Sequence, residues 1–179
     1  IVIDATDTDC YAQASAIAKL IRGPLAMKRK DKMISCHLLC STNVAEVMIQ
    51  FHTMTECDAN SGLYGHGKSS IYEKIEKVPQ LRSLIKNVRG ELPLSDNTRK
   101  LMKALVIEAI YGDSKYLIPG EARAAKWRSL KKKSTLRLSP DDDTLNHYCE
   151  RANFLSYIQL YPEIYNHPST IGNGWMLFD

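Results

Sequence analysis

With 179 residues, the chain is long enough for one domain with a real core and too short to presume two. It is 44% hydrophobic and 25% charged, an ordinary globular composition, and no apolar run approaches the roughly 18 residues of a membrane span. The net charge of +4 is only mildly basic, and five cysteines, an odd number without repeated close spacing, argue against a disulfide framework. Buried free thiols in a reducing compartment are the reading that fits, with an intracellular and nuclear location expected.

Ile1-Val2-Ile3 is a β-branched apolar run, the pattern of a strand buried on both faces. It leads into Asp4-Ala5-Thr6-Asp7-Thr8-Asp9, a turn rich in side chains that bond backbone amides. An Ala-rich helix is predicted from Cys10 to Ile21, halted by Gly23-Pro24. Strand, acidic turn and helix form half of a βαβ unit, in which functional groups collect at the carboxyl ends of strands. Lys28, Arg29, Lys30 and Lys32 make a basic loop, followed by Met33 to Cys36 as either a second short strand or a helix entry. Cys36 and Cys40, with His37 between them, share one helical face, but no second ligand pair follows to complete a zinc site.

Ser41 or Thr42 caps a predicted helix across Val44, Val47, Met48 and Phe51. A helix from Ser70 to Val78 is stopped by Pro79, and Asn97 to Tyr111 is amphipathic, with Leu101, Leu105, Ile107 and Ile110 inward and Gly112 ending it. Glu121 to Leu130 is a basic helix. Lys126, Arg128, Lys131, Lys132, Lys133 and Arg137 form a second cationic cluster, of a size that can neutralise phosphates. Asp141, Asp142 and Asp143 open a last helix running to about Leu160, where acidic residues favour the helix dipole and serve as a cap. The ends of the chain are apolar, the expectation for a piece of a longer polypeptide.

Two stretches carry chemistry. Asp7 and Asp9, two apart in a turn after a strand, can aim two carboxylates at one hard cation, with Asp4 nearby. Asp58 follows an apolar helix and precedes a glycine-rich segment. Within that segment Gly62 to Ser69 matches the phosphate-loop pattern letter for letter. That mechanism needs a buried strand feeding the loop, and Thr55 to Ser61 is no strand, so nucleotide hydrolysis stands as an alternative reading only. Gly65, Gly67 and Lys68 equally suit the backbone of a nucleic acid. His52, in an apolar helix, fits a satisfied core residue better than a catalyst, and His66 sits in the glycine loop.

Taken together, these motifs resemble PIN-like nucleases of the flap-endonuclease and XPG superfamily. In that family a buried strand ends in an acidic D-x-D turn, followed by an acidic element and a glycine-containing helix-turn-helix that grips duplex backbone. The order here is similar: Asp7-Thr8-Asp9, Cys57-Asp58, then Gly62 to Lys68. The chain looks closer still to uncharacterised eukaryotic, often mobile-element-linked proteins. Those carry related stretches at His52 to Ser61, Gly65 to Lys68, Arg151 to Phe154 and Gly174-Trp175. Glu56 and Ala59 depart from that pattern, and the family's upstream acidic helix and first strand have no counterpart in this sequence.

The resemblance implies an α/β, helix-rich fold: the C-terminal half of a three-layer PIN-like (Rossmann-like) domain over residues 1–95, with a helical extension over 96–179. It implies metal-dependent phosphodiester hydrolysis on DNA or RNA, with one or two Mg2+ or Mn2+ ions. Asp7, Asp9 and Asp58 would be ligands and catalytic residues, and Asp4 a further candidate ligand. Gly65, Gly67, Lys68, Lys126, Arg128, Lys131, Lys132 and Lys133 would hold the nucleic acid. Without the upstream acidic residues the site would be incomplete. The alternative is a catalytically inactive module that binds nucleic acid or protein.

Overall fold

The computed structural model describes residues 1–18, 21–39, 47–63, 66–88, 90–112, 118–130 and 138–177. Strand β1 (Val2–Asp4) pairs in parallel with β2 (Ala26–Arg29), and β2 pairs antiparallel with β3 (Lys32–Ser35), giving the order β1-β2-β3. The register aligns Ile3, Met27 and Ile34 in one row, and Met27 is fully buried. Because side chains alternate across a pleat, the neighbouring rows face the other way. There Val2 is 59% and Met33 55% exposed. The expectation of a strand buried on both faces is therefore corrected. Among the described residues one face of the sheet is covered, so they do not supply a third layer.

The predicted basic loop is a hairpin. Lys30 takes a positive φ of 53° at its turn, and Met27 and Ile34 pair across the two strands. Both readings of Met33 to Cys36 hold in part, since β3 ends at Ser35 and α2 (Cys36–Leu39) begins at the next residue. Helix α1 (Thr8–Ile17) lays Ala14 and, just beyond it, Ala18 against Leu25, Met27 and Cys36 in a small core beneath the sheet.

The larger core surrounds α3 (Met48–Thr55). Every residue from Ile49 to Thr55 is buried, as expected of a helix packed on all sides. Its buried hydroxyls are satisfied: Thr55 donates to the Phe51 carbonyl at 2.7 Å, and Thr53 shares a 2.7 Å hydrogen bond with Ser156 on a helix packed against it. Around α3 stand α4 (Lys68–Lys77), α5 (Pro79–Lys86), α6 (Asp96–Tyr111) and α8 (Asp142–Leu160), with α7 (Pro119–Ser129) against α6. Pro79 does stop α4, but it also occupies the first turn of α5, where its missing N–H costs nothing. One apolar cluster runs from Val47 through Ile85 and Leu105 to Ala152. Its members lie on both sides of the division expected at residues 95 and 96.

Helix caps follow sequence closely. Asp141 accepts the Thr144 amide at 2.9 Å, so the Asp run is a cap, and that bond holds its carboxyl below the usual carboxylate range. Ser95 accepts the Thr98 amide at 3.2 Å, and Gly112, with φ of 61°, ends α6. Ser95→Ala is expected to cost about 1 kcal/mol of stability. Chemical denaturation would show this as a lower midpoint with an unchanged slope.

Candidate functional site

Three predicted motifs meet at one buried ring. His52, 3% exposed on α3, has its Nε2 against Asp9 Oδ1 and its Nδ1 3.0 Å from the Lys68 ammonium. An ammonium can only donate, so Nδ1 accepts, the ring proton sits on Nε2, and Nε2–H donates to the Asp9 carboxylate. Anion, neutral imidazole and cation alternate along this line. It ties the start of α1 to the start of α4 through the most buried helix of the fold. Sequence reading placed His52 in the core as a satisfied residue, which holds; the two charged partners it joins, 43 and 16 residues away, were not legible in helical periodicity.

The other predicted carboxylates have partners of their own or face solvent. Asp7 is the N-cap of α1, its Oδ1 accepting the Asp9 amide at 3.1 Å. Asp4 pairs with Lys28 at 3.3 Å on the exposed sheet face. Asp58 is exposed at the tip of a turn closed by the Cys57 and Asn60 backbones, at 3.0 and 3.1 Å. Among the described residues no three His, Cys, Asp or Glu side chains gather closely enough to hold a metal ion. Of the expected set, only Asp9 meets the buried imidazole. Each carboxylate has a cap, an ion pair or solvent as its partner.

The acidic segments are nevertheless neighbours. Burial pushes the Cys57 thiol pKa up; the Asp9 carboxylate pushes it further and Lys68 opposes it, so all three groups share one electrostatic environment. Cys10, Cys36, Cys57 and Cys149 are free thiols, and burial raises Cys149 to about 12. Cys40 lies outside the described residues.

The glycine-rich segment has two distinct parts. A Cβ at Gly62 would come within 2.9 Å of the Thr55 carbonyl, so this glycine serves packing of the turn against α3. Gly67 is the N-cap of α4, makes no side-chain cap bond, and a Cβ there would meet nothing within 4 Å. Among the described residues no cap side chain takes the first amides of α4, which begins at Lys68. Gly65 lies outside the described residues. No strand feeds this segment among the described residues, and Lys68 is held by His52. The structural setting of a phosphate loop is not met.

The distal motifs brace the same turn. Arg151 on α8 donates through Nε to Asn60 Oδ1 at 3.3 Å and through Nη1 to the Gly174 carbonyl at 2.9 Å. Asn60, itself buried, donates to the Thr53 carbonyl at 3.0 Å. Gly174 has φ of 94°, and a Cβ there would meet the His147 carbonyl at 2.6 Å, so only glycine lets the tail cross α8. Trp175 packs edge-on against Phe154 at 5.7 Å. Asn60 and Tyr148, whose buried hydroxyl donates to the Met54 carbonyl, carried no sequence signal beyond polarity within apolar surroundings.

Of the predicted cationic residues, Lys126 and Arg128 lie in the last turn of α7, flanking Trp127, which is 47% exposed. Lys131, Lys132, Lys133 and Arg137 lie outside the described residues. Lys28 is drawn to Asp4, and the Arg29 guanidinium sits 5.9 Å over the Tyr11 ring.

No protein-family model, curated protein or solved structure matches the chain. No described helix is long and apolar enough to cross a membrane.

Proposed function

We propose that this chain grips a nucleic-acid backbone as the substrate-holding portion of a PIN-like fold, without assembling a complete metal centre from its own described residues. The observation that carries this reading is the Asp9–His52–Lys68 line. It spends one of the three Lys68 donors on His52 and holds the other two beside the uncapped start of α4. Helix amides and a fixed ammonium together form a phosphate site. Lys126, Trp127 and Arg128 on α7 add charge and an exposed ring on which a base can stack.

Fluorescence anisotropy of labelled single- and double-stranded oligonucleotides, in EDTA, tests this directly. Binding is expected without divalent metal and is expected to weaken steeply with salt. Lys68→Ala should reduce affinity about tenfold, and Lys126→Ala/Arg128→Ala should lower the salt slope by about two. Binding unaffected by salt and by Lys68→Ala would sink the proposal.

A second reading, Mg2+- or Mn2+-dependent phosphodiester hydrolysis, is favoured by the shared environment of Asp9 and Cys57, next to Asp58. It predicts saturable Mn2+ binding by calorimetry that is lost in an Asp7→Asn/Asp58→Asn double variant.

A further inference from the structure

Away from the Asp9–His52–Lys68 line, a cavity of about 290 Å³ lies between the Ser61–Leu63 segment, the end of α6, α7 and the start of α8. Two guanidiniums line it, Arg123 from α7 and Arg151 from α8, together with the hydroxyl-bearing Ser61, Ser139 and Thr144. Arg123 donates to the Ser139 carbonyl, and Arg151 donates to Asn60 Oδ1 and the Gly174 carbonyl. Among the described residues neither is in an ion pair with a carboxylate. Outside the cavity lining, the cations between α6 and α8 have carboxylate partners: Arg99 pairs with Glu150 at 2.6 Å and Lys103 with Asp142 at 3.0 Å.

Two part-buried cations facing one cavity repel each other, and neutral carbonyls offset their charge only in part. An arrangement of this kind favours an anion with several acceptor oxygens, since each guanidinium presents a planar fork of donors. Leu63, Ile110 and Pro140 add apolar side chains to the lining. The volume lies at the small end of ligand pockets, which run from roughly 300 to 1,000 Å³.

We propose that this cavity binds a small organic phosphate of mononucleotide size, with the phosphate between Arg123 and Arg151 and the ring-bearing body against Leu63 and Ile110. The site is separate from the proposed backbone grip at Lys68 and does not depend on it. Polar groups converging in a concave, largely apolar wall are the usual form of a small-molecule site.

Isothermal calorimetry on the full chain, with adenosine 5′-monophosphate, inorganic phosphate and adenosine as probes, tests it. The monophosphate is expected to bind more tightly than either fragment. Arg123→Gln is expected to weaken it about tenfold or more, the loss typical of a charge-assisted hydrogen bond, with little change in melting temperature. Ser61→Trp, which fills the cavity from its exposed rim while leaving both arginines in place, should also abolish binding. Equal affinity for adenosine and its monophosphate would overturn the proposal. So would binding that survives Arg123→Gln and Ser61→Trp but is lost in Lys68→Ala, because that places the phosphate at α4.

Discussion

Phe154→Ala is expected to destabilise the protein by about 3–5 kcal/mol, the range for emptying a fully buried aromatic site. Phe154 is 1% exposed on α8, and its ring meets Trp175 at 5.7 Å and 72°. The residue does more than fill volume. Trp175 follows Gly174, whose carbonyl receives Arg151, and Arg151 in turn holds Asn60 in the turn that carries Asp58. Losing the ring frees the tail and removes one anchor of that turn. Urea unfolding should show the full loss for Phe154→Ala and a smaller one for Phe154→Leu, which keeps most of the volume. Trp175→Ala should fall between them, since a partly buried partner forfeits the aromatic contact but less buried area. A Phe154→Ala cost near that of Phe154→Leu would mean that the tail does not close this part of the core.

Which parts of this architecture were legible in the sequence depends on the range of the interaction. Helices α6 and α8 were readable because their signals are local: Gly112 and Asp141 act within four residues of the helix they bound. Strand β2 was hidden by its charge. Only Met27 is buried in it, and a basic run with a single apolar residue reads as a loop. The candidate site was legible as a list of motifs and illegible as geometry. Asp7 and Asp9 look equivalent in sequence, yet the first helical turn directs Asp7 to an amide and Asp9 to a buried imidazole. Spacing alone does not separate a cap from an ion-pair partner when both follow a strand. Arg151 and Gly174, 91 and 114 residues beyond Asn60 and its turn, become meaningful only once α8 packs against α3.

His52→Leu carries the other large expected effect, about 2–3 kcal/mol of stability. Leucine fills most of the buried volume, so little of that loss is cavity. It comes from Asp9, whose side chain is 32% exposed, and from Lys68, both left beside an apolar group where an imidazole had joined them. Asp9→Asn should cost less, because an amide oxygen still accepts from Nε2–H. Lys68→Met should cost about 1–3 kcal/mol, since Nδ1 of a nearly buried ring then lacks a donor. The three replacements made together should cost clearly less than their sum, because each removes a partner that the others have already lost. Additive losses would mean that the contacts are incidental. The tautomer gives an independent check: nitrogen-15 shifts should place the His52 proton on Nε2. A proton on Nδ1 instead would exclude Lys68 as its donor and, with it, the fixed ammonium on which the backbone grip depends.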